Sequence, residues 1–116
     1  MIVVNEDFAL KIPKNLKPEV AAPILCAGAT TYSPLKHWGV KAGDSVGVIG
    51  FGGLGDMASK IAKARGAQVT IFTTTEQKLE EAKRLGIKGV LVSDKAAMNA
   101  LSRRWYEITS NTLPHW

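Results

Sequence analysis

Three glycines, Gly50, Gly52 and Gly55, set between a short apolar run and an amphipathic helical repeat, constrain this chain more than any other feature. The run is Ser45-Val46-Gly47-Val48-Ile49, and the loop Gly50-Phe51-Gly52-Gly53-Leu54-Gly55 follows at once. Between a strand and a helix, this spacing has a physical meaning. The first glycine permits the tight turn, the second lets the backbone approach a pyrophosphate, and the third allows close helix–strand packing. From Leu54 onward the helix offers free N–H groups and the positive end of its dipole to phosphates. A merely structural glycine turn is the plainer alternative, and the strand–loop–helix context argues against it.

That context repeats along the chain. Asp56 to Arg65 reads as a helix with Met57, Ile61 and Ala64 on one stripe, ended by Gly66. Gln68–Phe72 is rich in β-branched residues and reads as a strand. Glu76–Leu85 reads as a second helix, ended by Gly86, and Gly89–Val92 as a third strand. Upstream, Ile2–Val4 and Ala9–Ile12 read as short strands. The Ala-rich stretch Glu19–Trp38 suggests helix, divided into short pieces by Pro23 and Pro34, with Gly39 as its cap. Beyond Ser93 the pattern weakens to a helix over Ala96–Arg104 and a polar fourth strand over Trp105–Thr112. The expected fold class is α/β: a partial Rossmann sheet, parallel βαβαβ, preceded by short helices.

The end of the second strand bears on cofactor choice. An NAD site places an acidic residue about twenty positions past the glycines, to hold the ribose hydroxyls. Here the strand runs into Thr73-Thr74-Thr75 with no carboxylate among them, and Lys78 stands one helical turn on. Hydroxyls with an ammonium suit a 2′-phosphate, so NADP is favoured over NAD. A second reading makes Thr75 a helix N-cap and Lys78 a solvent-facing residue. Glu76 weighs against NADP by its charge.

Composition narrows the classes that remain. At 116 residues the chain has room for one small domain. No apolar run is long enough to cross a bilayer, and the acidic start from Met1 to Asp7 lacks the basic region of a secretory signal. A single cysteine excludes an internal disulfide and suits a reducing, cytoplasmic setting. The net charge of +5 comes without any nucleic-acid motif. Its helical basic residues fall among alanines and glutamates, as on a solvated face, with a few available to an anionic cofactor.

Other candidates are weaker. Cys26, among Ile24, Leu25 and Ala27, reads as a small buried hydrophobe, with no His, Asp or second Cys at metal-ligand spacing. His37 and His115 are isolated. Tyr32 and Lys36 form the Tyr-x-x-x-Lys pattern of short-chain dehydrogenases, but upstream of the glycine loop rather than downstream, and with Pro34 between them.

The stretch from Ala21 to Leu35, AAPILCAGATTYSPL, resembles a signature of the cinnamyl-alcohol-dehydrogenase-like branch of zinc-type medium-chain alcohol dehydrogenases. The segment Gly39–Asp44, the Gly50–Gly55 loop and Thr73–Lys78 continue the resemblance in one register from about Phe8 to Asp94. It implies hydride transfer between NADPH and an aldehyde, with an alcohol as the reverse substrate. By the same resemblance Cys26 falls on the last catalytic-zinc ligand and Thr30 near the nicotinamide. Gly50, Phe51, Gly52, Gly53, Leu54 and Gly55 would hold the pyrophosphate; Thr73, Thr74 and Lys78, beside Thr75, would hold the 2′-phosphate. A homodimer and a cytoplasmic enzyme, without nucleic acid or membrane as partner, are implied too. Residues 1–38 then correspond to the end of a catalytic domain with its connecting helices, and 39–116 to the first half of the cofactor domain.

The departures are also specific. The family's N-terminal domain, with its remaining zinc ligands and four-cysteine structural zinc, has no counterpart in these residues. Neither has the second half of the sheet. Asp56 stands where this branch usually has His, and the tail from Ala96 follows the family poorly. The chain therefore reads as a fragment of an NADP-dependent zinc alcohol dehydrogenase, inactive alone. The alternative is a non-catalytic dinucleotide-binding module or an inactive truncated product.

Overall fold

The computed structural model describes residues 1–99 and 106–108, and for residues 98, 99 and 106–108 the backbone alone. Strands β1 (Ser45–Ile49), β2 (Gln68–Thr73) and β3 (Lys88–Leu91) alternate with helices α3 (Gly53–Ala64) and α4 (Glu76–Arg84). Helices α1 (Pro18–Pro23) and α2 (Ala29–His37) precede them, and α5 (Lys95–Asn99) and β4 (Tyr106–Ile108) follow. Each helix stop anticipated from glycine is realised in the left-handed region, with φ of +64° at Gly39, +82° at Gly66 and +64° at Gly86. No helix among the described residues is long and apolar enough to cross a membrane.

All pairings in the sheet are parallel, in the order β3-β2-β1-β4. The register runs from Ser45 opposite Gln68 to Ile49 opposite Phe72, and Val46 lies opposite Tyr106. The sheet first grows outward from β1 to β3, then returns to add β4 on the other side of β1. The strand order thus reverses beside β1, whose carboxyl end carries the glycine loop. In open α/β sheets, ligands bind at this position. The expected α/β class is borne out, and the polar strand expected after Trp105 exists over Tyr106–Ile108; its remaining positions lie outside the described residues. So do those of the helix anticipated beyond Asn99.

The helical stretch before β1 corrects one expectation. Pro23 and Pro34 do not cut it into separate pieces. Pro23 ends α1 and is followed directly by a π-helical segment, Ile24–Gly28, which passes into α2. The Ala29 N–H reaches back to the Ile24 carbonyl, the wider i→i+5 bond of a π-turn. Pro34 sits inside α2 without ending it. Local packing outweighs the missing donors: Thr31 and Leu35 are buried, and the Thr31 hydroxyl donates to the Ala27 carbonyl at 2.7 Å. A second correction concerns the start. Ile2–Val4 and Ala9–Ile12 are not strands; a single 3-10 turn, Glu6–Phe8, lies between them, capped by the Asn5 side chain. Met1 to Val4, Phe8 and Leu10 are exposed, so their apolar pattern has no sheet to join.

The core is built from small residues on the helices against branched ones on the strands. Val46, Val48 and Ile71 are fully buried beneath Ala58, Ala62 and Ala82, with Leu35 and Val40 closing one end. The buried face of α3 is therefore Gly55, Ala58, Ser59 and Ala62, not the expected Met57–Ile61–Ala64 stripe; only Ile61 of that stripe packs on the core. Small side chains let the helix axis lie close to the sheet, which is what the loop geometry below requires.

Candidate functional site

β1 delivers the chain to Gly50, whose φ of +86° makes the turn and whose N–H donates to the Phe72 carbonyl at 2.9 Å. The loop is thereby tied to the neighbouring strand. Phe51 is buried and fixes the loop from below. A Cβ placed on Gly55 would run into the Gly50 carbonyl oxygen, so helix and turn touch backbone to backbone. By contrast, a Cβ on Gly52 or Gly53 would meet nothing within 4 Å. The first i→i−4 bond of α3 runs from the Asp56 N–H to the Gly52 carbonyl at 2.8 Å. The amides of Gly53, Leu54 and Gly55 lie before it, at the positive end of the helix. One side of the loop is closed by contact and the other is open, as an approaching phosphate requires.

A groove of about 430 Å³ runs from this open side to α4. The loop contributes Phe51, Gly52, Gly53 and Asp56; α4 contributes Lys78, Glu81, Arg84 and the start of its exit at Leu85. The glycine loop and Lys78, far apart in sequence, thus share one wall-to-wall space. Lys78 is half-buried and not simply solvent-facing, and its ammonium lies 3.0 Å from a Glu81 carboxylate oxygen. Asp56, on the opposite wall, is paired with Lys60 at 2.7 Å.

The threonines are divided. Thr73 is buried, its carbonyl accepting from the Val92 N–H at 2.9 Å and its hydroxyl lying 3.5 Å from the Thr75 N–H. Thr74 and Thr75 are exposed, and none of the three lines the groove. Thr75 occupies the N-cap position of α4 without a side-chain capping bond. Glu81 escaped the reading of the sequence as a site residue, and Arg84 figured only among the helical basic residues available to an anionic cofactor. Their signal was the spacing Lys78, Glu81, Arg84 and Leu85, one side of a helix at i, i+3, i+6 and i+7.

No family model matches the chain. It is 46% identical to a probable formaldehyde dehydrogenase of Bacillus subtilis, over 97% of this chain and 32% of that protein. Among solved structures, the cinnamyl alcohol dehydrogenase of Sorghum bicolor superposes with a TM-score of 0.82 at 40% identity, over 97% of this chain and 33% of that one. The CAD of Helicobacter pylori, solved in complex with NADP(H), gives a TM-score of 0.73 at 50% identity, over 78% and 26%. In sequence and fold the chain is homologous to a segment of the zinc-type alcohol dehydrogenases. It spans about a third of the length of the first of these relatives.

For an alcohol dehydrogenase segment, the metal is the first test of the donor set. Cys26 lies on the π-helical segment, exposed, which corrects the reading of it as a buried hydrophobe. Among the described residues no three His, Cys, Asp or Glu side chains are grouped to hold a metal ion. One thiol does not fit a zinc site, which takes three or four protein ligands. Thr30 is exposed on α2, and neither it nor Cys26 lines the groove, although the segment carrying Cys26 packs against α3. His37 stacks edge-on against Trp38, ring centres 5.0 Å apart, and His115 lies outside the described residues. The Arg65 guanidinium lies over the Tyr32 ring, 5.7 Å from its centre.

Proposed function

We propose that this chain supplies the phosphate-binding part of the cofactor cleft of an NADP(H)-dependent oxidoreductase acting on small alcohols and aldehydes. When bound, NADPH supplies the hydride that reduces an aldehyde to the alcohol. The chain's own residues bind and orient. The Gly53, Leu54 and Gly55 amides receive the pyrophosphate, with Gly50, Phe51 and Gly52 shaping its approach. Lys78 receives the ribose 2′-phosphate, with the exposed hydroxyls of Thr74 and Thr75 beside it; the buried Thr73 shapes the strand end that carries them. Cys26, as one ligand of a metal whose other ligands would come from outside the described residues, and Thr30 beside the nicotinamide extend the reading toward the reacting atoms. A division into 1–38 and 39–116, a homodimer and a cytoplasmic location belong to the same proposal.

One observation carries it. The loop that is closed by Gly55 against Gly50 is open at Gly52 and Gly53, onto a groove whose opposite wall carries Lys78. The test is calorimetric titration of the 116-residue chain with NADPH and NADH. We expect NADPH to be preferred by about tenfold, the lower end for a charge-assisted phosphate contact. A preference for NADH overturns the NADP assignment, and failure of both to bind overturns the site. A second reading, a nucleotide-binding module without catalysis, is favoured by the solitary thiol. It predicts binding without any NADPH oxidation in the presence of aldehydes.

A further inference from the structure

Lys78 already has a partner on its own helix. Its ammonium lies 3.0 Å from Glu81, with both side chains about 40% exposed (41% and 39%). Glu81 stands one turn farther along α4, on the opposite side of Lys78 from Thr73–Thr75. Both side chains line the groove that the glycine loop opens onto. A 2′-phosphate at the end of β2 and the Glu81 carboxylate therefore compete for one ammonium. Asp56 does not, because Lys60 holds it at 2.7 Å. Resting on the cofactor reading above, we propose that Glu81 is a specificity-determining residue: it draws Lys78 along α4 and lowers the preference for the 2′-phosphorylated cofactor. Its carboxylate adds a second effect of the same sign, repelling the incoming phosphate across the groove.

The size of the effect follows from the exposure of the pair. Half-exposed i,i+3 ion pairs are weak, so releasing Lys78 is worth about two- to fivefold in affinity. The probes are adenosine 2′,5′-bisphosphate and 5′-AMP, which differ only in the 2′-phosphate. They are titrated at low ionic strength into the full 116-residue chain, its Glu81→Gln variant, Lys78→Met and the double variant. Glu81→Gln is expected to tighten the bisphosphate about two- to fivefold and to leave 5′-AMP unchanged. In the Lys78→Met background the gain is expected to shrink to the small part owed to direct repulsion. Unchanged or weaker bisphosphate binding, with 5′-AMP bound as before, overturns the proposal alone. So does an equal gain with and without Lys78. Absence of binding for both probes to the parent chain overturns the proposal together with the cofactor reading on which it rests.

Discussion

Two glycines three positions apart carry opposite constraints. Gly55 has the Gly50 carbonyl where a Cβ would stand, whereas Gly52 faces open space with φ −107° and ψ −161°, a backbone that alanine adopts. Gly55→Ala is expected to destabilise the chain by about 1–3 kcal/mol, as overpacking does, through separation of α3 from the turn. Gly52→Ala is expected to change stability by less than about 0.5 kcal/mol while weakening nucleotide binding, because the methyl group enters the phosphate's approach. Urea denaturation followed by titration with NADPH separates the two; equal stability losses would contradict the geometry. Lys78→Ala is expected to weaken NADPH about tenfold and to leave NADH nearly unchanged, again by titration. Equal losses for both cofactors would mean that Lys78 does not read the phosphate.

Helix ends show how the elements are fastened. The Lys63 ammonium reaches the Leu85 carbonyl at 2.6 Å, so α3 caps the end of α4. Arg65 donates twice to the Val40 carbonyl, at 3.1 and 2.8 Å, and ties the turn before β1 to the end of α3. Arg65→Met keeps the aliphatic stem and removes both donors. It is expected to cost about 1–3 kcal/mol, read as a lower denaturant midpoint with unchanged slope. Neither fastening was legible in the sequence, since each joins residues more than twenty positions apart through a side chain that local pattern places in solvent. What was legible depends on local chemistry: the glycine stops at 39, 66 and 86, the β-branched strand at Gln68, and the loop at Gly50. The prolines misled because Pro23 and Pro34 were weighed by lost hydrogen bonds alone, while the burial of Thr31 and Leu35 against α3 holds the helix through them. The consecutive β-branched residues Ile2–Val4 misled in the opposite way, since a strand needs a neighbour that local composition does not supply.

Over the whole molecule, Cys26 stands apart from the groove, and the described residues offer it no companion ligands. Purified chain dialysed against a chelator is expected to retain zinc far below one ion per chain by elemental analysis. Stoichiometric zinc lost on Cys26→Ser would show that a site assembles, between copies or with groups outside those described. The candidate groove was half legible. Its glycine wall lies in one stretch of sequence, whereas the Glu81 and Arg84 wall depends on the angle at which α4 meets α3, which no local pattern encodes. The π-helical turn at Ile24–Gly28 also reaches beyond its five residues. It amounts to one residue inserted into an otherwise ordinary helix, and the widened turn absorbs the rotation of about 100° that an extra residue would otherwise add. Deleting one residue there would relax the helix to its common form and leave the segments on either side facing much as they do now. The same deletion inside α2 or α3, where no wide turn takes up the difference, would rotate one flank against the other by about that angle. Ile24–Gly28 is therefore the place in this chain where a change of length by one residue is the least disruptive.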